Sequence, residues 1–156
     1  MTGGIVMKVK EVMQTKVITV SIDMEIREIA KILYENNISG VPVVDEAGNL
    51  VGIVSEGDLL HKKANPKLPG VVSILGEFIY YAGVKQYEYD LKKLFALKAS
   101  EIMTPDVFTV GPAAPIEEAA SLMVDHEIKR LPVLEDGKIV GIISRMDIMK
   151  TLIIDE

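Results

Sequence analysis

The sequence predicts a mixed α/β fold: two β-α-β-β-α repeats packed as an intramolecular pair, with a helical insert between them. Three observations predict it. The first is a long internal duplication. With an offset of 90, Glu11–Glu46 lies on Glu101–Asp136, and once Ala47 is skipped an offset of 89 lays Gly48–Asp58 on Gly137–Asp147. Seventeen of those pairs are identical, among them Met13/Met103, Val17/Val107, Thr19/Thr109, Val20/Val110, Ile38/Ile128, Pro42/Pro132 and Gly52/Gly141. A period of this length marks a repeated supersecondary unit that buries its apolar face against a neighbour. The second observation is that each copy alternates short β-branched runs with segments of helical period. The third is a stretch between the copies that belongs to neither. The chain therefore divides into repeat 1 with its lead-in (1–63), an insert (64–98) and repeat 2 (99–156).

Residues 1–10 read as a lead-in with one edge strand, Ile5–Val9, followed by a helical turn over Glu11–Gln14. Val17-Ile18-Thr19-Val20 is a short β-branched strand. Asp23 is placed to cap the next helix, whose Ile26, Ile29, Ala30 and Leu33 recur on one face, and Asn36-Asn37 ends it. Val41–Val44 forms a second strand with Pro42 near its start, where a missing N–H is tolerated. Asp45–Asn49 turns the chain, Leu50–Val54 returns, and Ser55 opens a helix to about Lys63. The second copy repeats this order. Strand Val107–Val110 precedes a helix from about Pro115 to Asp125. Strand Leu131–Leu134, a turn over 135–138 and strand Ile139–Ile143 follow, and a helix over 145–154 closes the copy. In the insert, Val71–Ala82 keeps a helical period, Leu91, Leu94, Phe95 and Lys98 give a second helix, and six of the eight aromatic residues lie there. Such rings favour packing against the core or a partner chain, with a lid over a ligand as the sharper alternative.

Composition narrows the function classes. At 156 residues the chain is one compact domain or two very small ones, and 49% hydrophobic residues supply a sizeable core. The apolar repeat helices and the aromatic insert exceed what one small core buries, so a homodimer is expected. The apolar runs fall short of a membrane span, no secretory signal is read, and the absence of cysteine fits a cytoplasmic protein without disulfides or thiol chemistry. A net charge of −6 argues against nucleic-acid binding. His61 and His126 read as surface residues rather than metal ligands, no nucleophile elbow or triad spacing is present, and the chain reads as no enzyme and without a cofactor.

The most informative stretch is spoken twice: Gly52-Ile53-Val54-Ser55-Glu56-Gly57-Asp58 and Gly141-Ile142-Ile143-Ser144-Arg145-Met146-Asp147. Ser-x-x-Asp at a strand–helix junction is a capping box, in which the Ser oxygen accepts a helix-start N–H and the acid reaches back. The same junction leaves N–H groups that can hold an anion. A fixed carboxylate also accepts paired hydrogen bonds from a vicinal diol such as ribose presents, and apolar faces suit a purine. The copies differ where phosphate would sit. The second carries Lys129, Arg130 and Arg145; the first carries Ser39, Gly40 and Glu56, and Glu56 would repel an anion.

These motifs, together with Val17–Val20, Ile38–Asp45 and their partners in the second copy, resemble the CBS domain (the cystathionine-beta-synthase repeat). The resemblance covers about two thirds of the chain. It implies a Bateman module that commonly dimerises into a disc and binds AMP, ADP, ATP or S-adenosylmethionine in two clefts. By motif position, Asp58 and Asp147 resemble the ribose-holding residues, and Ser55 and Ser144 those that contact phosphate or ribose. Val17, Ile18, Ile38, Val107, Phe108 and Ile128 resemble the adenine-flanking positions. In the family each cleft is composite, which implies one group of Val17, Ile18, Ile38, Ser144 and Asp147 and another of Val107, Phe108, Ile128, Ser55 and Asp58. The function so implied is a nucleotide-binding regulatory module that signals to an effector protein. A ligand-free structural dimerisation module is the alternative, because capping alone would retain Ser and Asp.

Overall fold

The computed structural model describes residues 7–60 and 96–154. The expected insert helix over 71–82, the second one from Leu91 as far as Phe95, the end of the helix expected to reach Lys63, and the residues of the Ile5–Val9 strand up to Val6 lie outside them. Lys98, expected in that second helix, instead bridges to Glu25 and precedes a separate short helix that starts at Ala99. Two compact units form. The first unit is Ile18–Val107; the second joins Met1–Val17 to Phe108–Glu156. Sequence repeat and folded unit are thus out of phase, because the segment that leads each copy folds into the unit of the other.

In the first unit, β1 (Val20–Ser21), α2 (Ile26–Glu35), β2 (Gly40–Val44), β3 (Leu50–Ser55), α3 (Glu56–Leu60) and α4 (Ala99–Ile102) follow in order. The sheet runs β1-β2-β3, with β1 parallel to β2 and β2 antiparallel to β3. Its core is Val20, Ile26, Ile29, Leu33, Val41, Val43, Val54, Leu59, Ala99 and Ile102. Ala30 departs from the expected stripe: it faces out, and Ile32 is half-buried instead.

The second unit repeats the plan with α1 (Val9–Val12), α5 (Ile116–Asp125), β4 (Arg130–Glu135), β5 (Lys138–Ser144) and α6 (Arg145–Ile154). Val9, Val110, Ala119, Met123, Leu131, Val133 and Ile143 form its core. Strands β4 and β5 are antiparallel, flanked by single bridges Val110↔Val133 and Gln14↔Ile142. Both hairpins carry a register shift at the same aligned place, between Val43 and Val44 and between Val133 and Leu134. They close differently. Asp136 and Gly137 both have positive φ, the backbone of a tight two-residue hairpin turn. In the first unit the extra residue Ala47 lengthens the turn, and Asp45 Oδ1 accepts from Ala47 and Asn49 N–H.

The first strands are shorter than expected. Pairing begins at Val20 rather than Val17, and the second copy keeps only the bridge at Val110. Proline explains both ends of this. The backbone N of Pro132 would have to donate to Phe108 to extend the parallel ladder backwards, and Pro42 stands in the same place; neither has the hydrogen. Pro112 cannot extend the second copy's pairing forwards for the same reason. Nor does Pro42 sit at a strand start: it is the third residue of β2, in the middle of the sheet.

The short helices α1 and α4 are held from outside, since four residues cannot nucleate a helix alone. Val9 and Lys10 N–H donate to Ala114 and Pro112 O, and Ala99 and Ser100 N–H to Met24 and Ile22 O. These bonds satisfy helix-start donors that would otherwise be orphaned. Asp23 does not cap α2. The N-cap is Glu25 without a side-chain bond, Ile26 N–H donates to Leu97 O, and Asp23 pairs with Lys98 at 3.6 Å.

Helices α2 and α5 end alike, at Asn37 (φ 51°) and Glu127 (φ 55°). The left-handed region costs an ordinary residue about 1–2 kcal/mol, less for Asn. Glu127→Asn should therefore raise stability by about 0.5–1 kcal/mol. A urea midpoint that stays put or falls would contradict this.

Candidate functional site

The twin Gly-x-x-Ser-x-x-Asp motifs lie where β3 runs into α3 and β5 into α6. Gly52 and Gly141 are required by close approach. A Cβ on Gly141 would lie 2.5 Å from Met13 Sδ and 2.9 Å from Gln14 O; on Gly52 it would meet Met103 Sδ at 2.5 Å and Thr104 O at 3.0 Å. The segments brought so near are bonded edge-on, Gln14 to Ile142 and Thr104 to Ile53, each through both N–H···O bonds.

The capping boxes form as expected. Ser144 N–H donates to Asp147 Oδ2 at 2.9 Å, and Asp147 N–H donates to Ser144 Oγ at 3.2 Å. Ser55 N–H donates to Asp58 Oδ2 at 2.8 Å, Ser55 Oγ lies 3.1 Å from the same oxygen, and Asp58 N–H donates to Ser55 Oγ at 3.3 Å. Each box fixes one carboxylate oxygen. A side chain far along the chain takes the other: Gln14 Nε2 donates to Asp147 Oδ1 at 3.0 Å, and Thr104 Oγ1 to Asp58 Oδ1 at 3.2 Å. Gln14 and Thr104 are aligned in the duplication but differ in type, so identity between the copies does not reveal them. The signal available in the sequence is a polar donor directly after the identical Met13/Met103 pair.

Asp147 is buried, 6% exposed, and Asp58 half-buried. Arg145 is exposed, yet its guanidinium is tied back to the backbone. Its Nε donates to Ile128 O at 3.0 Å and a terminal nitrogen to Met123 O at 3.5 Å, near the C-terminus of α5. Three of its five N–H donors are left over from these two bonds. The backbone of Arg145 is tied to Lys129 O, as Glu56 is to Ser39 O. Ile128, Lys129, Ser144, Arg145 and Asp147 thus form one connected neighbourhood, with Arg130 opposite Ser144 in the ladder.

The remaining predicted residues divide between the units: Val17 and Phe108 fall in the second, and Ile18, Ile38 and Val107 in the first, with Ser55 and Asp58. Ile18 and Phe108, aligned with each other, are 38% and 42% exposed. Phe108 stacks on His126, ring centroids 3.8 Å apart and planes 17° apart. His126 is the exposed C-cap of α5, and among the described residues no group of three His, Cys, Asp or Glu could hold a metal ion. Nor is any helix there long and apolar enough to cross a membrane.

Two copies of a parallel-then-antiparallel β-α-β-β-α unit, each ending in a Ser–Asp junction, define a tandem-repeat module. The family model of the CBS domain matches residues 9–65 and 99–154, and the chain belongs to the CBS-domain family. It is 34% identical over 159 residues to the protein MJ1426 of Methanocaldococcus jannaschii, covering 97% of this chain and 94% of that one. The CBS domain pair of protein MJ0100, solved in complex with 5′-methylthioadenosine and S-adenosyl-L-methionine, is 27% identical. It superposes with a TM-score of 0.67 over 95% of this chain and 97% of that one. The structure of CBSX2 in complex with AMP shares the fold, with a TM-score of 0.70, 24% identity and coverage of 94% and 96%.

Proposed function

We propose that this chain is a non-catalytic sensor that binds adenosine-containing ligands such as AMP, ADP, ATP or S-adenosylmethionine and relays their presence to an effector protein. In this reading repeats 1–63 and 99–156 are the sensing pair, 64–98 is the connecting insert, and the module works as a homodimer. The observation that carries it is the ordered carboxylate at each strand–helix junction, held by its own capping box and by one further donor. A carboxylate fixed in this way meets both hydroxyls of a ribose without first losing rotamer freedom. The exposed apolar side chains of Ile18 and Phe108 supply surfaces suited to a purine face. Phosphate favours the second copy: Lys129, Arg130 and the spare donors of Arg145 are cationic, whereas Glu56 is not. The bound 5′-methylthioadenosine and S-adenosyl-L-methionine of the MJ0100 domain pair support the same ligand class.

One observation favours the second reading, a ligand-free dimerisation module. Both carboxylates already have partners within their own unit, so capping alone accounts for their presence. Thermal melts with AMP, ATP, S-adenosylmethionine and NAD separate the two. A ligand at about 100 times its Kd adds about 2.7 kcal/mol to the folded state and raises the melting temperature. The sensor reading expects such a rise with at least one adenosine compound and none with inorganic phosphate; no rise with any of them leaves the ligand-free module.

A further inference from the structure

We propose that Gln14, and Thr104 in its aligned place, are the positioning residues that make the two carboxylates selective for a ribose diol, and that the Asp147 site is the more selective of the two. The inference rests on the adenosine-ligand reading and adds to it the residues that set sugar specificity.

A carboxylate has two oxygens with about four lone-pair sites, two on each oxygen. On Asp147 one site of Oδ2 is taken by Ser144 N–H and one of Oδ1 by Gln14 Nε2. One site remains on each oxygen, the arrangement a 2′,3′-diol needs to donate to both. Asp58 differs. Its Oδ2 faces both the N–H and the hydroxyl of Ser55, and its Oδ1 faces Thr104, leaving one site on one oxygen. A diol at Asp58 keeps one bond unless the Ser55 hydroxyl turns away. The second oxygen of each carboxylate is held only from outside the capping box. Without Gln14, the Asp147 carboxylate is anchored through Oδ2 alone, and the plane that sets the direction of Oδ1 is held by one bond instead of two.

Gln14 is well placed to act in this way. Its backbone is locked to Ile142 by bonds of 2.8 and 2.9 Å, so only its amide differs when the side chain is changed. Thr104 sits on equivalent bonds of 2.8 and 3.0 Å to Ile53 and still reaches its aspartate. A threonine at position 14 should therefore reach Asp147.

The test is calorimetric titration of the full chain with AMP and with 2′-deoxy-AMP, which lacks one hydroxyl. In the wild type the tighter site should prefer AMP by about tenfold, the loss of one hydrogen bond to a charged group. Gln14→Ala should weaken AMP about fivefold, barely change 2′-deoxy-AMP, and so collapse the preference, while Gln14→Thr restores it. Thr104→Ala should affect the weaker site only. A merely structural role would lower the melting temperature and weaken both nucleotides alike; that result overturns the proposal, as does an unchanged AMP preference in Gln14→Ala. Asp147→Asn keeps the two levels apart. If it abolishes the tighter site while Gln14→Ala leaves the preference intact, the adenosine reading stands and the role of Gln14 fails. If Asp147→Asn leaves AMP binding untouched, both fail.

Discussion

Gly141→Ala should destabilise the second unit by about 2–3 kcal/mol, the upper part of the range of about 1–3 kcal/mol for forcing atoms into packed space. The added methyl would meet Met13 Sδ at 2.5 Å and Cγ at 2.9 Å, and Gln14 O at 2.9 Å. The methionine tail can swing aside. The carbonyl cannot, because Gln14 and Ile142 exchange both backbone bonds across that edge. Relief must come from opening the ladder, which also drags the Gln14 amide away from Asp147. Gly52→Ala repeats the clash against Met103 and Thr104. Gly40→Ala is the matched control, since its nearest contact would be an ordinary 3.4 Å. Urea denaturation should show a large loss for the first two and a smaller one for the third. Equal midpoints for Gly40→Ala and Gly141→Ala would contradict the close-approach account.

Asp147→Asn should weaken AMP binding at the second copy's site by tenfold or more, about 1.5–3 kcal/mol, because a charged acceptor is lost. Its cost to the fold should be only about 1 kcal/mol, the value of a cap. Geometry explains why the two effects separate. With its oxygen kept toward Ser144 N–H, the new amide group faces Gln14, whose own amide can flip and present oxygen instead of nitrogen. The cap survives, and what disappears is the anionic oxygen pair offered to a diol. Asp58→Asn should follow the same pattern with a smaller effect, since Asp58 has fewer open acceptor sites and Glu56 stands where the second copy has Arg145. Titration of both variants with AMP, beside their urea denaturation curves, checks this.

What was legible in the sequence was local or repeated. The Ser–Asp boxes close over three residues, and 145–154 carries its own start signal, so both appear as expected. The hairpins follow from their turn residues, with the skipped Ala47 marking the longer turn. What was not legible depends on partners distant in the chain. The N-cap expected at Asp23 lost to a backbone bond that Ile26 N–H donates to Leu97 O, 71 positions further on. The first strands shortened because prolines on the neighbouring strand have no hydrogen to give. Ala30 fits an apolar stripe but looks outward, since a methyl group gains little from burial that a neighbour such as Ile32 does not supply better. In the site, Gln14 lies 133 residues from the carboxylate it touches. Arg145 spends two of its five donors on the carbonyls of Met123, in the last turn of α5, and of Ile128 beyond it, 22 and 17 positions earlier in the chain.

The most direct test of adenosine sensing is calorimetric titration of the wild-type chain with AMP, beside a double variant carrying Asp58→Asn and Asp147→Asn. The account predicts saturable binding to the wild type with no more than two molecules per chain, and its loss in a double variant that still unfolds cooperatively. Absence of binding to the wild type by any adenosine ligand, or undiminished AMP binding by the folded double variant, would contradict it.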